Sequence, residues 1–476
     1  MTTLVPLAIL LPLAMAVVLA ALGRRLPRTV VDGLAVVTAA VACALCAAFT
    51  RHVAADDRPM VYWFGDWLPR GQQVVGVGWV VDPLGAAMAT LAALLMTAAL
   101  AFSGRYFDTV RALYHVLMLV FLAAMIGFCL TADLFNLFVF FELMSVSAYA
   151  LTGYKIESES SLEGSLNFAI VNTLGAYLLL VGVGLLYART GALNLAQIGE
   201  VLSHASADRL VVLALTLVLT GFFIKGAIVP FHFWLADAHA VAPTPVCVMF
   251  SGIMVELGLF GAARVYWIGF SGVLAPHAPD VRRVLIAAGA VTALVGALLA
   301  VWQRHIKRLL AFSTVSHSGM MLMGLGLLSA DGLAATFVYL AGHGLVKGAL
   351  FMLAGILLDR HGSIDQTKLV GRGRREPWLG ATLLVGGLAL VGVPPFGTWL
   401  GKSALERAAA AAGMHWLSWI WLAAALLTGV AVLRVFGRVF LGLGSGPDET
   451  GSPCEAEQPE VRAARSKLSM MLLIAA

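Results

Sequence analysis

Charge is scarce in this 476-residue sequence. Asp, Glu, Lys and Arg together make up 12% of it, against about a quarter in an ordinary globular domain. Hydrophobic residues account for 60%, and mean hydropathy is +0.91. A chain this poor in polar surface cannot fold as a water-soluble globule. A cysteine framework is missing too. Of five cysteines, Cys43 and Cys46 form a CxxC inside an Ala/Val-rich run with no second pair. That excludes a zinc or cluster site and leaves small apolar packing. No GxGxxG follows a strand and no P-loop occurs, so neither a nucleotide nor any other cofactor is expected. The first apolar run lacks a basic start, unlike a signal peptide.

What is present is a series of apolar runs, each long enough to span roughly 30 Å of hydrocarbon. They fall near 3–22, 28–49, 79–102, 112–130, 134–153, 166–188, 209–235, 242–269, 283–302, 306–328, 333–358, 378–410 and 415–441. In lipid every backbone polar group must be satisfied within the protein, so these runs predict helices. The fold class is an all-α polytopic membrane protein. A further apolar piece, 469–476, is too short to cross and reads as the start of a fourteenth helix. Two polar interruptions stand out, 51–78 and the Gly/Pro/Glu-rich 444–467.

Lys and Arg concentrate in alternate loops, for example Arg24, Arg25 and Arg28, then Arg304, Lys307 and Arg308, then Lys368, Arg372, Arg374 and Arg375. The positive-inside rule makes these loops cytoplasmic and places the N-terminus outside. The net charge of +5 reflects these anchors and does not point to nucleic acid.

A few charges lie inside the apolar runs. Glu142 sits in NLFVFFELMSVSAYAL, Lys225 in GFFIKGAIVPFHFWL and Glu256 in FSGIMVELGLFGAARV. His343 and Lys347 in YLAGHGLVKGALFMLAG are four residues apart, on one helix face. Lys402 follows the double proline of GVPPFGTWLGKSALE, and AFSTVSHSG puts His317 in another span. His232 and His239 follow Lys225. An ionised group at mid-bilayer costs about 2.5–3.5 kcal/mol on insertion scales. Each lysine taken singly can be a structural ion-pair partner, and each histidine a simple interhelical hydrogen bonder. Three lysines and two glutamates on separate spans are too costly to retain as five independent packing solutions.

The chemistry such groups offer is proton handling. An ammonium removed from water gives up its proton more easily, and a carboxylate nearby reverses that. Histidine titrates close to neutrality already. Prolines supply helix breaks, tolerated in a membrane where irregular backbone lines a wet cavity. Pro230 and the Pro394/Pro395 pair lie about 165 residues apart in PFHFW and PPFGTW. This spacing hints at two repeats, each with one discontinuous helix and a lysine beside it.

FVFFELMSVSAYAL, KGAIVPFHFWLADAHAVAPTPV, LLAFSTVSHSG, HGLVKGALFMLAG and GVPPFGTWLGK resemble, in this order, the antiporter-like membrane subunits of respiratory complex I. Relatives of those subunits serve group 4 hydrogenases and Mrp sodium/proton antiporters. The resemblance runs over about 79–441. It implies a core of about fourteen transmembrane helices with two inverted five-helix repeats. Residues 1–111 would hold the first three helices, 112–269 and 283–441 the repeats, and 442–476 a linker and the start of a last helix. By the family's count, helices 7 and 12 are broken. Glu142 and Lys225 fall on the helix 5 glutamate and its helix 7 lysine partner. His343 and Lys347 fall on helix 11 and Lys402 on helix 12.

Glu256 departs from the pattern, since many relatives carry lysine or histidine there. A carboxylate at that place could relay the proton, bind sodium or lock Lys225 in a static pair. Implied partners are other membrane subunits of a complex I-like, hydrogenase or Mrp assembly, with lipid around them, and protons or sodium as the ions moved. No redox centre of its own is expected. The competing reading is a non-translocating anchor. The expected site is therefore Glu142, Lys225, Glu256, His343, Lys347 and Lys402, with His232 and His317 beside it.

Overall fold

The computed structural model describes residues 1–69, 74, 76–107, 110, 112–444 and 446. The expected start of a last helix, and nearly all of the linker before it, lie outside these residues. The helices are α1 Val5–Leu22, α2 Arg28–Asp56, α3 Pro83–Tyr106, α4 Ala112–Leu130, α5 Leu134–Thr152 and α6 Glu159–Thr190. There follow α7 Leu195–Ser203, α8 Arg209–Lys225, α9 Phe233–Val241, α10 Thr244–Met249 and α11 Val255–Val265. The second half holds α12 Ala278–Trp302, α13 Ile306–Gly326, α14 Ala330–His361, α15 Pro377–Val391, α16 Gly397–Ala411 and α17 Leu417–Phe436.

Among the described residues, eleven helical stretches are long and apolar enough to cross a membrane. One of them, Thr244–Phe270, joins α10 to α11 through a π-helical turn, Phe250–Met254. Two further helical pairs, α8/α9 and α15/α16, are interrupted where the prolines fall. The protein is a polytopic membrane protein. It is not purely helical: β1 (Met60–Trp63) and β2 (Gly78–Val81) pair antiparallel in the first polar interruption. Short α7, an amphipathic helix, is the other element without a counterpart among the expected spans.

Helix starts are fixed by side chains that satisfy otherwise orphaned amides. Asp133 accepts from the Asn136 amide at α5, Asp208 from Val211 at α8, and Ser329 from Gly332 at α14. The long helices α6 and α14 both end on a glycine in the left-handed conformation, Gly191 at φ 66° and Gly362 at φ 65°. Each chain then returns to the start of an earlier helix in the same way. Leu134 donates to Leu193 O and Leu195 to Ala132 O, at 2.8 and 2.9 Å. In the second half Ile306 donates to Ile364 O and Gln366 to Arg304 O, at 2.9 and 3.1 Å.

These ties sort the connections onto two faces. One face carries the β-hairpin, the Ala132–Leu195 tie and the partly buried ion pair of Asp82 with Arg264. The other carries the Arg304–Gln366 tie, the Arg308–Asp237 pair at 3.3 Å and the Glu376 carboxylate held by Arg360 and His361. Lys307, read from sequence as a loop anchor, is fully buried on this second face and donates to Ala242 O at 2.8 Å. Glycines allow close helix contacts: a Cβ on Gly319 of α13 would lie 2.3 Å from the Ala293 amide nitrogen of α12.

Candidate functional site: a buried row of ionisable groups

The first break places Lys225 as the last residue of α8, fully buried. Past it the backbone turns through Ala227 at φ 51°. Two of the polar groups freed by the break find partners: Trp234 Nε1 donates to Ile224 O at 3.0 Å, and the Val229 amide donates to Thr292 Oγ1 of α12 at 3.1 Å. In hydrocarbon an unmet amide would cost several kcal/mol, so these two partners make the turn tenable. The Lys225 ammonium donates to Ser145 Oγ of α5 at 2.5 Å and lies 4.5 Å from the centre of the Phe141 ring. Cation–π contact of this kind is favourable where water is excluded.

Glu142 lies on the same helix as Ser145, three residues before it, and is half-buried with Oε1 lacking a hydrogen-bond partner. Its charge and that of Lys225 are close enough to interact electrostatically. They are not in direct contact, for no ion pair joins them within 4 Å. The direct carboxylate–lysine pair expected from the family pattern is here an open pair. The hydroxyl of Ser145 holds the cation, and a charge-assisted bond to it replaces the bond to carboxylate.

Glu256 is also fully buried, on α11 just after the π-helical turn. It does not lock Lys225. Its Oε1 is hydrogen-bonded to His343 Nδ1 of α14, while Oε2 has no partner. The His343 ring stacks on His317 of α13, centroids 4.8 Å apart. His317 in turn meets Tyr339 Oη at 2.6 Å through Nδ1 and Thr428 Oγ1 at 3.1 Å through Nε2. Four helices thus contribute to one buried cluster that begins at a carboxylate and ends on the hydroxyl of α17.

Lys347, one turn beyond His343, repeats the arrangement of Lys225. It is fully buried and donates to a serine hydroxyl, Ser313 of α13, and to Leu310 O at 2.7 Å. Thr314 Oγ1, 3.2 Å from Leu310 O, can donate its one proton there or to Ser251 Oγ at 3.0 Å, and that oxygen meets His239 Nε2 at 2.8 Å. This second chain of polar groups leads from Lys347 toward the face where Lys307 is buried. Lys402 lies on α16 after the second break, largely buried, its side chain running past Gly392. Glu406 one turn on is the carboxylate whose charge acts on it. His232 stands apart at the start of α9, half-buried, with Nδ1 unpartnered.

The expected residues therefore fall into three places: Glu142 with Lys225, then Glu256 with His343, His317 and Lys347, then Lys402. Between the first two, α8 and α11 touch where the break occurs, since a Cβ on Gly258 would lie 2.7 Å from the Gly226 amide nitrogen. Several participants were not singled out from sequence. Ser145 and Tyr339 could have been found, being three residues from Glu142 and four from His343 on the same faces. Ser313 and Thr314 stood in a segment singled out only for His317 and for its resemblance to the family motif. Thr428 had no signal, because nothing distinguishes it from any other threonine in an apolar helix.

A polytopic helical protein with broken helices and a buried row of lysines, glutamates and histidines is an ion-handling membrane protein by architecture. The chain belongs to the family described as NADH:quinone oxidoreductase/Mrp antiporter, transmembrane, which matches residues 131–428. It is similar to NADH-quinone oxidoreductase subunit N of Desulforudis audaxviator, 30% identical over 87% of this chain and 82% of that one. Similarity extends to a Na(+)/H(+) antiporter subunit of Alkalihalophilus pseudofirmus, 31% identical over 79% of this chain and 75% of the relative. A chain in the solved Mrp complex from Dietzia sp. DQ12-45-1b superposes with TM-score 0.87 at 29% identity, covering 99% of this chain and 92% of that one.

Proposed function

We propose that this chain is a proton-translocating membrane subunit of a multisubunit assembly of the complex I or Mrp antiporter type, residing in the plasma membrane. Its partners are other membrane subunits, and the ions moved are protons, exchanged for sodium if the assembly is of the Mrp type. The observation that carries this reading is the pair of buried lysines, Lys225 and Lys347, each resting on a serine hydroxyl within the electrostatic reach of a carboxylate. A cation held by a neutral group can exchange that partner for a carboxylate with little cost in desolvation. The same cation locked in a buried ion pair could not leave it cheaply.

In this scheme the proton-bearing groups are Glu142 and Lys225 in the first half. Glu256, His343 and Lys347 follow at the centre, with Lys402 at the far end. His317 extends the central cluster through its stack on His343, and His232 stands beside the first break. The two halves, 112–269 and 283–441, are read as inverted repeats. Support comes from the matching backbone ties after α6 and α14, which sit on opposite faces. The helix breaks at corresponding places agree with it.

The test is proton uptake by vesicles carrying the assembled complex, followed with a pH-sensitive dye. Glu142→Gln and Lys225→Ala are each expected to abolish uptake while assembly persists. Uptake at the unaltered rate in both would leave the chain as a passive membrane anchor.

A further inference from the structure

A cavity of about 710 Å³ opens where α1 ends and α2 and α4 begin, on the face that also carries the Arg304–Gln366 tie. It belongs to no part of the ionisable row. Its mouth is basic, lined by Arg24 and Arg28, and its walls toward the membrane are apolar, with Leu19, Leu113 and Val116 among them. Leu22 and Leu113 beside it are exposed. The cavity thus has a polar end at the depth where α1 leaves the membrane and an apolar end within it.

Among the described residues the one carboxylate nearby is Asp32, already held by Arg28 at 3.4 Å and by the buried His115 at 2.8 Å. No carboxylate pairs with Arg24 among the described residues. A third positive element is the helix end itself. α2 is 29 residues long and begins at Arg28 with no side-chain cap, and residues of its first turn, Arg28 and Val31, line the cavity. Pro27 O already takes the Val30 and Val31 amides, and the positive end of the helix dipole there still favours an anion. Guanidinium groups match phosphate oxygens in the same place.

We propose that this cavity binds one anionic phospholipid, its phosphate held between Arg24 and the start of α2 and its acyl chains lying along Leu19, Leu113 and Val116. A basic pocket between membrane helices at headgroup depth on the positively charged face suits such a lipid. A soluble anion would leave the apolar walls bare. A zwitterionic lipid would bring a second cation against Arg24.

The experiment uses the delipidated full chain in detergent, titrated with dioleoyl phosphatidylglycerol or dioleoyl phosphatidylcholine and read by native mass spectrometry. One phosphatidylglycerol is expected to bind about tenfold or more tightly than phosphatidylcholine. A photoactivatable phosphatidylglycerol should crosslink to peptides of α1, α2 and α4. Arg24→Gln should remove most of the preference, whereas Arg407→Gln, an exposed arginine on α16, should not change it. Ala20→Phe fills the cavity without touching charge and should cut the crosslinks. Equal binding of the two lipids overturns the proposal, as does a preference that survives Arg24→Gln or Ala20→Phe. Competition by glycerol phosphate as effective as the lipid would make this a soluble-anion site. In the assembled complex, crosslinking from position 113 to another subunit instead of lipid would make it a protein interface.

Discussion

Lys225 rests on Ser145, 2.5 Å from its hydroxyl oxygen, and not on Glu142 one turn earlier on the same helix. The structure thus shows the first-half pair open, with its cation parked on a neutral partner. Opening and closing become a choice between two acceptors, Ser145 and Glu142.

Ser145 is therefore expected to matter although it carries no charge. A hydrogen bond to a charged group contributes about 1.5–3 kcal/mol. Ser145→Ala should remove the open resting place and slow proton uptake roughly tenfold or more by that measure, with assembly intact. Ser145→Thr, which keeps the hydroxyl, should recover most of the rate. The readout is dye-monitored uptake in vesicles, and a full rate in Ser145→Ala would show that the hydroxyl is not a working partner.

The Glu256–His343 contact makes a second prediction. Glu256→Gln keeps the shape but loses the ionisable carboxyl, so uptake should fall at least about a hundredfold, the scale of a general acid–base contribution at the low end. Glu256→Asp should retain part of it. Glu256→Lys puts a cation against His343 and beside Lys347, and should be the worst of the three for both uptake and stability. Normal uptake in Glu256→Gln would assign this glutamate a purely structural part.

Packing supplies a third. Gly319→Ala drives a methyl group into the Ala293 backbone, where the nearest atom would be 2.3 Å away. Overpacking of this kind costs about 1–3 kcal/mol. The variant should show a lower midpoint in a thermal aggregation assay in detergent, and a midpoint equal to that of the unaltered chain would mean that α12 and α13 part easily.

Orientation is the fourth. The described fold puts the β-hairpin on one face and the arginine cluster before α15 on the other. In a chain with Cys43 and Cys454 replaced, Arg58→Cys should be labelled in intact cells by an impermeant maleimide, and Arg375→Cys only after lysis. Both positions are exposed, so access and not burial decides the result. Labelling in the reverse order would invert the topology.

Sequence showed the spans clearly because twenty apolar residues in lipid have few alternatives to a helix. The breaks were equally legible from Pro230 and from Pro394 with Pro395, and buried charges stand out wherever charge is rare. Ion-pair geometry was hidden: spacing puts Glu142 near Lys225 but cannot tell whether the lysine chooses the carboxylate or the serine three residues further on. The burial of Lys307 was misread for a related reason. A lysine at a span's end looks like an anchor, and only the approach of Ala242 O from a distant loop turns it inward. The β-hairpin was missed because eight residues in two four-residue strands give too short an alternation to register against loop composition.

One hydrogen bond near the middle of the molecule constrains how the chain could be divided. Thr292 of α12 accepts from the Val229 amide at the first break while donating to Ala288 O of its own helix. The first half therefore borrows a hydroxyl from the second to finish its own most irregular turn. Split between residues 270 and 278 and expressed as two polypeptides, the first fragment would hold a bare amide in hydrocarbon until its complement arrived. The two halves are thus not modules joined by a tether, but a single machine whose upstream gear is seated in a bearing supplied from downstream.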